Sequence, residues 1–199
     1  MGYFPEKGRQ LVVVADVAGK GLVSAMIASS FQAAFRAVAA AGVPLAEIAR
    51  QLNALHFAEG SEARRRYVTA LFLLLDSQAH TIEAVNAGHN PALLFNGRGT
   101  HPVMLEASGT PIGMLPQAGY TSETHDLKEG ARLLGYTDGL TEVFRGQDEF
   151  GLERLIQTFH SCGEREGNAV LDHIWQTLEE FSTEREQGDD MTAFVLIRQ

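Results

Sequence analysis

The chain has 199 residues, of which 45% are hydrophobic and 21% charged, and its net charge is −9. The length and composition are those of an ordinary globular protein with a sizeable core. The acidic balance argues against nucleic acid and anionic membranes as main partners, because both repel a negative surface.

A single cysteine, Cys162, cannot form a disulfide within the chain, which fits a reducing compartment. Residues 1–10 lack the apolar stretch of a signal peptide, and no apolar run approaches the roughly 20 residues that span a bilayer. We therefore expect a cytoplasmic protein. The basic triplet at 64–66 is interpreted as a solvated loop, by analogy with other charge runs.

The first predicted elements are a strand and two helices. Residues 10–17 (QLVVVADV) are apolar and β-branched, which predicts a buried strand before the glycine-rich turn AGKG. Residues 22–42 are rich in alanine and poor in charge, which predicts a largely buried helix ending at Gly42. Residues 44–59 begin with a proline and are amphipathic, which predicts a second helix.

The remaining patterns predict strands, then helices, then a last strand. Six apolar or alternating segments separated mostly by Gly, Pro and Asn turns indicate strands at 66–76, 80–88, 90–96, 101–106, 120–127 and 131–137. Helical spacing returns at 152–161 and 169–182, and 191–199 is a final strand. This order indicates one layered α+β domain over residues 1–199, with mostly antiparallel sheet in the middle and helix pairs outside.

Carboxylates interrupt the apolar pattern where strands end. They are Asp16 in VVVADVAGKG, Asp138 in LLGYTDG, and Asp189 with Asp190 in GDDMTAFVL. A charge at the rim of a core is costly unless it is paired, and Mg²⁺ and Mn²⁺ prefer oxygen ligands. The set predicts a shared cation, although any one of these residues alone is more often a turn former or a helix N-cap.

Six motifs in one order make the pattern recognisable. The chain resembles the bacterial phosphatases of the stage II sporulation protein E type, which are related to the type 2C metal-dependent serine/threonine phosphatases. The resemblance covers nearly the whole chain, and it rests on ADVAGKGLVSAMIAS, YVTALFLLLD, VNAGHNPALLF, GTPIGML, LLGYTDGLTEVF and GDDMTAFVL.

The resemblance implies a layered α-β-β-α sandwich and a site with two Mn²⁺ or Mg²⁺ ions. Asp16 matches the aspartate that bridges the ions, and Val17 matches the residue that lends its backbone carbonyl. Asp138 and Asp189 match two further metal aspartates, with Asp190 as an outer or alternative ligand. A metal-bound water would then attack the phosphoryl group of a phosphoserine or phosphothreonine.

The resemblance also implies a substrate and leaves three side chains with open roles. The implied substrate is a phosphorylated STAS-domain anti-sigma-factor antagonist. Lys20 either holds phosphate or is a solvated turn lysine, with neither role favoured. His89 either donates a proton or caps its loop, and we favour the structural role. Thr192 is expected to bond locally to the Asp189 loop.

One family feature is absent from the sequence. The family carries an upstream aspartate in a Gly-Gly-Asp strand, and no such motif precedes Asp16. Residues 3–9 (YFPEKGR) are interpreted as the turn after that strand, so the chain is expected to be N-terminally short. The loss predicts weakened metal binding, and it would expose a sheet edge that favours a homodimer or aggregation.

Two other functional interpretations follow from the sequence. The missing aspartate favours a catalytically degenerate module that binds its partner without hydrolysis, whereas the retained carboxylates weigh against that module. A phosphate-loop nucleotide hydrolase is suggested by GKG after a strand, but the motif requires glycine at Val14 and serine or threonine at Gly21. We therefore set the nucleotide hydrolase aside.

Overall fold

The computed structural model describes residues 2–6, 8–58, 66–97, 101–163, 165–182 and 190–199. The chain forms two compact units, and we describe each by itself. Unit 1 comprises Met1–His89 and Glu106–Leu127, and unit 2 comprises Asn90–Leu105 and Lys128–Gln199. Each unit contains one main antiparallel sheet and one pair of helices, which confirms the α+β fold class.

Unit 1 contains a five-stranded sheet in the order β1-β2-β3-β4-β7, and all four of its ladders are antiparallel. Strands are numbered in chain order through both units. The elements of unit 1 are β1 (Gly2–Glu6), β2 (Arg9–Val17), α1 (Leu22–Ala39), α2 (Leu45–Ala58), β3 (Val68–Asp76), β4 (Thr81–Ala87) and β7 (Glu123–Asp126).

The core of unit 1 forms between this sheet and the two helices. Alternate residues of β2, Leu11 and Val13, contribute to the core because successive side chains of a strand point to opposite faces. Phe35 of α1 and Phe72 of β3 are fully buried with ring centroids 6.2 Å apart. Burial of each such ring stabilises the fold by about 2 to 3 kcal/mol, so the long β2–β3 ladder is firmly held.

Unit 2 contains a four-stranded sheet in the order β11-β8-β5-β6, again with antiparallel ladders. A short hairpin, β9–β10, precedes the helices. The elements of unit 2 are β5 (Ala92–Phe95), β6 (Val103–Leu105), β8 (Arg132–Tyr136), a 3-10 turn (Asp138–Leu140), β9 (Phe144–Arg145), β10 (Asp148–Glu149), α3 (Gly151–Ser161), α4 (Gly167–Phe181) and β11 (Ala193–Ile197).

The core of unit 2 joins its sheet to α3 and α4. Phe95 of β5 contacts Phe159 of α3 edge to face, with ring centroids 5.3 Å apart. Tyr136, the last residue of β8, is also fully buried in this core. This packing fixes the end of β8, and the 3-10 turn that carries Asp138 begins two residues later.

The structure corrects the sequence prediction at the N-terminal end. Residues 3–6, which we interpreted as part of a turn, belong to β1, and β1 pairs with β2 from Arg9 to Val12. A strand therefore does lie beside β2, and what the sequence lacks is the Gly-Gly-Asp motif. The pairing of β1 ends at Val12, which lies four residues before Asp16.

Two further differences concern α1 and the segment before α3. Helix α1 ends at Ala39. The N–H groups of Ala41 and Gly42 donate to carbonyls three residues earlier, those of Val38 and Ala39, instead of four residues earlier as in an α-helix. Among the described helices, α1 is long and apolar enough to cross a membrane by length and composition, with a mean hydropathy of 1.4. Its Phe31 and Phe35 nevertheless pack in the core of unit 1. The hairpin β9–β10 was not predicted, since each of its strands has only 2 residues.

Candidate metal and phosphate site

Asp16 and Val17 are the last two residues of β2, as the sequence predicted. The ladder pairs Asp16 with Thr69 and Val17 with Val68 on β3. Asp16 is exposed and lies at the end of a strand whose middle residues are buried. The pairing with the β3 segment continues for one more residue, because the Ala18 N–H donates to the Tyr67 carbonyl at 2.9 Å.

The glycine-rich loop after β2 turns sharply into α1. Gly19 and Gly21 have φ values of +90° and +88°, which side-chain-bearing residues rarely adopt. Lys20 lies between them and is exposed. The loop therefore presents Asp16 and Lys20 on a chain segment whose turn depends on glycine, and Lys20 remains a predicted phosphate ligand.

Arg66 packs directly against this loop, contrary to our interpretation of the basic triplet as solvated. Its Nη1 atom donates to Ser24 Oγ in the first turn of α1 at 2.9 Å. A Cβ atom added to Gly19 would lie 2.2 Å from Nη1, so only glycine leaves room for the guanidinium. The other two arginines of the triplet lie outside the described residues.

His89 is buried and holds its loop to β3. Its Nδ1 atom lies 2.9 Å from Thr69 Oγ1. Its backbone N–H donates to Asn86 Oδ1 at 2.7 Å, and its carbonyl accepts the Asn86 Nδ2–H at 3.0 Å. These contacts support the structural role that we favoured for His89. They also place the ring beside Thr69, the residue paired with Asp16.

Asp138 begins the 3-10 turn that follows β8. Its backbone carbonyl accepts three hydrogen bonds, from the Thr141 hydroxyl at 3.0 Å and from the N–H groups of Thr141 and Glu142, both at 2.8 Å. The half-buried carboxylate makes no hydrogen bond or salt bridge to any residue that the structure describes. The Asp138 backbone is thus held by hydrogen bonds. Its carboxylate neither caps the turn nor pairs with a Lys, Arg or His side chain among the described residues.

The Asp190 segment is bound tightly to the same turn. Thr137 Oγ1 donates to the Asp190 carbonyl at 3.3 Å and accepts the Thr192 N–H at 2.9 Å. A Cβ atom added to Gly139 would lie 2.5 Å from the Asp190 oxygen. Close approach of the two loops explains why Asp138 is followed by glycine, and it brings the Asp138 and Asp190 segments together within unit 2.

The predicted ligands are only partly described. Asp189 lies outside the described residues, and the predicted bond of Thr192 to its loop remains a prediction. Asp16 belongs to unit 1 and Asp138 to unit 2, so the shared cation also remains a prediction. Within the described ranges no group of three or more His, Cys, Asp or Glu residues is placed to hold a metal.

The donor chemistry nevertheless fits a hard cation. The described candidates are the carboxylates of Asp16, Asp138 and Asp190, all of them oxygen donors of the kind that Mg²⁺ and Mn²⁺ prefer. A half-buried carboxylate without an internal partner, such as that of Asp138, is costly unless a cation or water compensates it. The residues present therefore fit the predicted metal site.

Two contributors to the site were missed by sequence reasoning. Arg66 lies just before β3 and Thr69 is its second residue. In the sequence, Arg66 looks like a loop residue and Thr69 like an ordinary strand residue. The signal that could have identified them is the antiparallel register. Once β2 pairs with β3, the residues that follow Val17 must lie beside those that precede Val68.

Comparisons of the sequence with known proteins point to one family. The sequence profile of the stage II sporulation protein E (SpoIIE) family matches residues 6–199. The chain is 34% identical over 144 residues to the phosphoserine phosphatase RsbP of Bacillus subtilis, which covers 71% of this chain and 36% of RsbP. The chain spans between 33% and 55% of the length of the first curated relatives that it matches.

Solved structures share the fold. The SiaA-PP2C domain of Pseudomonas aeruginosa superimposes with a TM-score of 0.85 at 19% identity, covering 98% of this chain and 78% of that one. RsbX, which was crystallised in complex with magnesium, gives a TM-score of 0.64 at 18% identity, covering 96% of this chain and 81% of that one. At these identities the likeness establishes the fold alone.

Proposed function

Because the chain belongs to the stage II sporulation protein E family, we propose that it is a metal-dependent phosphatase that hydrolyses phosphoserine or phosphothreonine in a regulatory protein. The observation that carries the proposal is the Asp138 carboxylate, which is half-buried on a rigid turn and has no partner in the described part of the chain. Such a group is suited to a cation that the protein chain itself does not supply.

The proposed metal ligands are the carboxylates of Asp16, Asp138 and Asp189, with the Val17 carbonyl and Asp190 completing the set. Two Mn²⁺ or Mg²⁺ ions, when bound, would supply the Lewis acidity that activates a water molecule and neutralises phosphoryl charge. In this proposal residues 1–199 form one phosphatase domain.

The protein's own residues have separate tasks. Lys20, exposed on the loop after β2, attracts the phosphoryl oxygens as a point charge. The glycines beside it let the backbone approach the substrate closely. The Thr141 hydroxyl donates to the Asp138 carbonyl and holds the backbone of this turn, and the Thr137 hydroxyl joins the turn to the Asp190 segment, so the backbone that carries the carboxylate is organised before a cation binds.

The substrate and location are proposed from the resemblance and the relatives. RsbP carries the name phosphoserine phosphatase. We expect the substrate to be a phosphorylated STAS-domain anti-sigma-factor antagonist in the cytoplasm. A net charge of −9 makes nucleic acid and anionic membrane unsuitable as partners.

The direct test is hydrolysis of a phosphoserine-containing STAS-domain protein in the presence of Mn²⁺, followed as phosphate release. Wild type should turn over the substrate, and Asp16→Asn and Asp138→Asn should each abolish turnover while retaining the circular dichroism spectrum of the fold. The matched control is Asp172→Asn on α4, an acidic residue outside every motif, which should retain activity. Full activity in both site variants would refute the metal assignment.

The second candidate function is binding without hydrolysis, since among the described residues no three or more His, Cys, Asp or Glu side chains are grouped to hold a metal. Calorimetry with Mn²⁺ separates the two. A phosphatase should bind Mn²⁺, and an N-terminal extension that carries a Gly-Gly-Asp motif should tighten binding and raise turnover. A degenerate module should remain inactive with the extension and should bind phosphorylated and unphosphorylated partner without releasing phosphate.

A further inference from the structure

The loop that joins β2 to α1 is attached to the rest of unit 1 at two adjacent points. On its β2 side, the Ala18 N–H donates to the Tyr67 carbonyl at 2.9 Å. On its α1 side, Arg66 Nη1 donates to Ser24 Oγ at 2.9 Å. Arg66 and Tyr67 are consecutive, so one short segment before β3 contacts both ends of the loop.

Between these two points the Arg66 guanidinium packs against the loop backbone. The site that a Gly19 Cβ would occupy lies 2.2 Å from Nη1 and 3.4 Å from Cζ. A planar guanidinium can lie flat against a backbone that lacks a side chain, which a flexible ammonium does less well. Gly19 is thus required twice, for its φ of +90° and for the space that Arg66 fills.

The backbone of Arg66 is held independently of its side chain. His56, near the end of α2, donates its Nε2–H to the Arg66 carbonyl at 3.0 Å. The His56 ring is 5% exposed and packs closely against Gly113. Because His56 of α2 holds the Arg66 backbone, the Arg66 side chain connects a fixed point of the chain to the loop.

We propose that Arg66 is a positioning residue that clamps the loop carrying Asp16 and Lys20 against the first turn of α1. The clamp sets where these two side chains stand before any ion or substrate arrives. This inference rests on the proposed function for its consequence, namely tighter metal binding, but the clamp itself is a property of the metal-free chain.

The first readout is backbone amide exchange in the full chain without metal. The Ala18 amide reports on the loop, because its exchange requires the bond to Tyr67 to open. Arg66→Ala should speed Ala18 exchange about tenfold, as expected for the loss of a hydrogen bond and its packing. Arg66→Lys should give an intermediate rate, because lysine keeps a charged donor group but lacks the planar guanidinium. The control Arg50→Ala removes an exposed arginine that pairs with Glu47 on α2, and it should leave the rate unchanged.

The second readout is Mn²⁺ affinity by calorimetry. Arg66→Ala should weaken binding about tenfold, the lower range for residues that orient a metal ligand, and Arg50→Ala should match wild type. Ser24→Ala, which removes only the acceptor, should shift both readouts in the same direction by a smaller factor. It also preserves the test if Arg66→Ala does not fold.

The outcomes distinguish the clamp from the proposed function. Wild-type values of Ala18 exchange and Mn²⁺ affinity in Arg66→Ala would overturn the clamp, even if the variant were less stable, because Arg66 would then be a packing residue only. Failure of wild type to bind Mn²⁺ would overturn the proposed function, and the exchange comparison would still decide whether Arg66 holds the loop.

Discussion

Asp16 on β2 lies directly opposite Thr69 on β3, and Thr69 Oγ1 is 2.9 Å from the Nδ1 atom of the buried His89 ring. Cross-strand partners in an antiparallel ladder have side chains on the same face of the sheet, roughly 5 Å apart at Cβ. The strand residue opposite the proposed metal aspartate is therefore supported by a histidine from the loop after β4.

This support predicts that His89 and Thr69 are energetically coupled. His89→Ala and Thr69→Val should each lower the free energy of unfolding, and the double variant should lose about 1 kcal/mol less than the sum, because both remove the same bond. Urea unfolding of the four proteins measures this coupling. His89→Asn, which keeps a group able to bond Thr69, should retain more stability and phosphatase activity than His89→Ala. Equal inactivity of the two His89 variants would instead indicate a proton donor.

Gly139 is predicted to be intolerant of a side chain. Its φ is not in the left-handed region, so the cost of Gly139→Ala comes from the 2.5 Å approach of the new Cβ to the Asp190 carbonyl oxygen. We expect a loss of about 2 kcal/mol and a fall in Tm of roughly 4 to 8 °C. Gly167→Ala is the control, because that site at the start of α4 is open and alanine favours a helix. Similar melting temperatures for the two variants would contradict the tight loop contact.

The two adjacent aspartates before β11 should differ in their effect on metal binding. Asp190 contributes its backbone carbonyl to Thr137, a role that asparagine preserves, and its side chain is exposed. Asp190→Asn should therefore weaken Mn²⁺ binding by about tenfold at most, whereas Asp189→Asn should exceed the roughly 100-fold upper range for residues that merely orient ligands. Calorimetry of both variants decides the assignment, and the reverse order would make Asp190 the ligand.

Tyr120 is predicted to make unit 1 sensitive to alkaline pH. Burial raises the pKa of Tyr120 from 10.0 to about 12. The unfolded chain ionises this phenol near pH 10 while the folded chain resists, so the stabilisation is complete below pH 10 and is lost between pH 10 and 12. The free energy of unfolding should fall by about 2 to 3 kcal/mol over that range. Tyr120→Phe, which removes only the hydroxyl, should flatten that part of the profile, and an unchanged slope would show that other groups cause it.

The local patterns of the sequence determined a large part of this protein. Buried strands such as β2 and β3 and the amphipathic helices follow from side-chain periodicity, because burial of one face imposes a repeat that local sequence records. The confirmed predictions are the α+β class and the family. The turn at Asp138 also followed from sequence, since TDG after an apolar run marks a strand end.

The errors arose where a local pattern was weak or absent. Residues 3–6 contain proline and charge and were interpreted as a turn, yet they form β1, because pairing with β2 satisfies their backbone groups. The hairpin β9–β10 was missed for a related reason, since strands of 2 residues have no periodicity to detect.

Only the tertiary structure decided which distant residues serve the candidate site. The contact of Arg66 with Ser24 joins positions 42 residues apart, and the contact of Thr137 with Asp190 joins positions 53 apart. Such contacts depend on strand register and on the close approach of glycines, and neither leaves a repeat in the sequence. The sequence by itself determined which carboxylates stand at strand ends. The fold decided which arginine, threonine and histidine lie near the described strand ends, because those contacts exist only once the strands have paired.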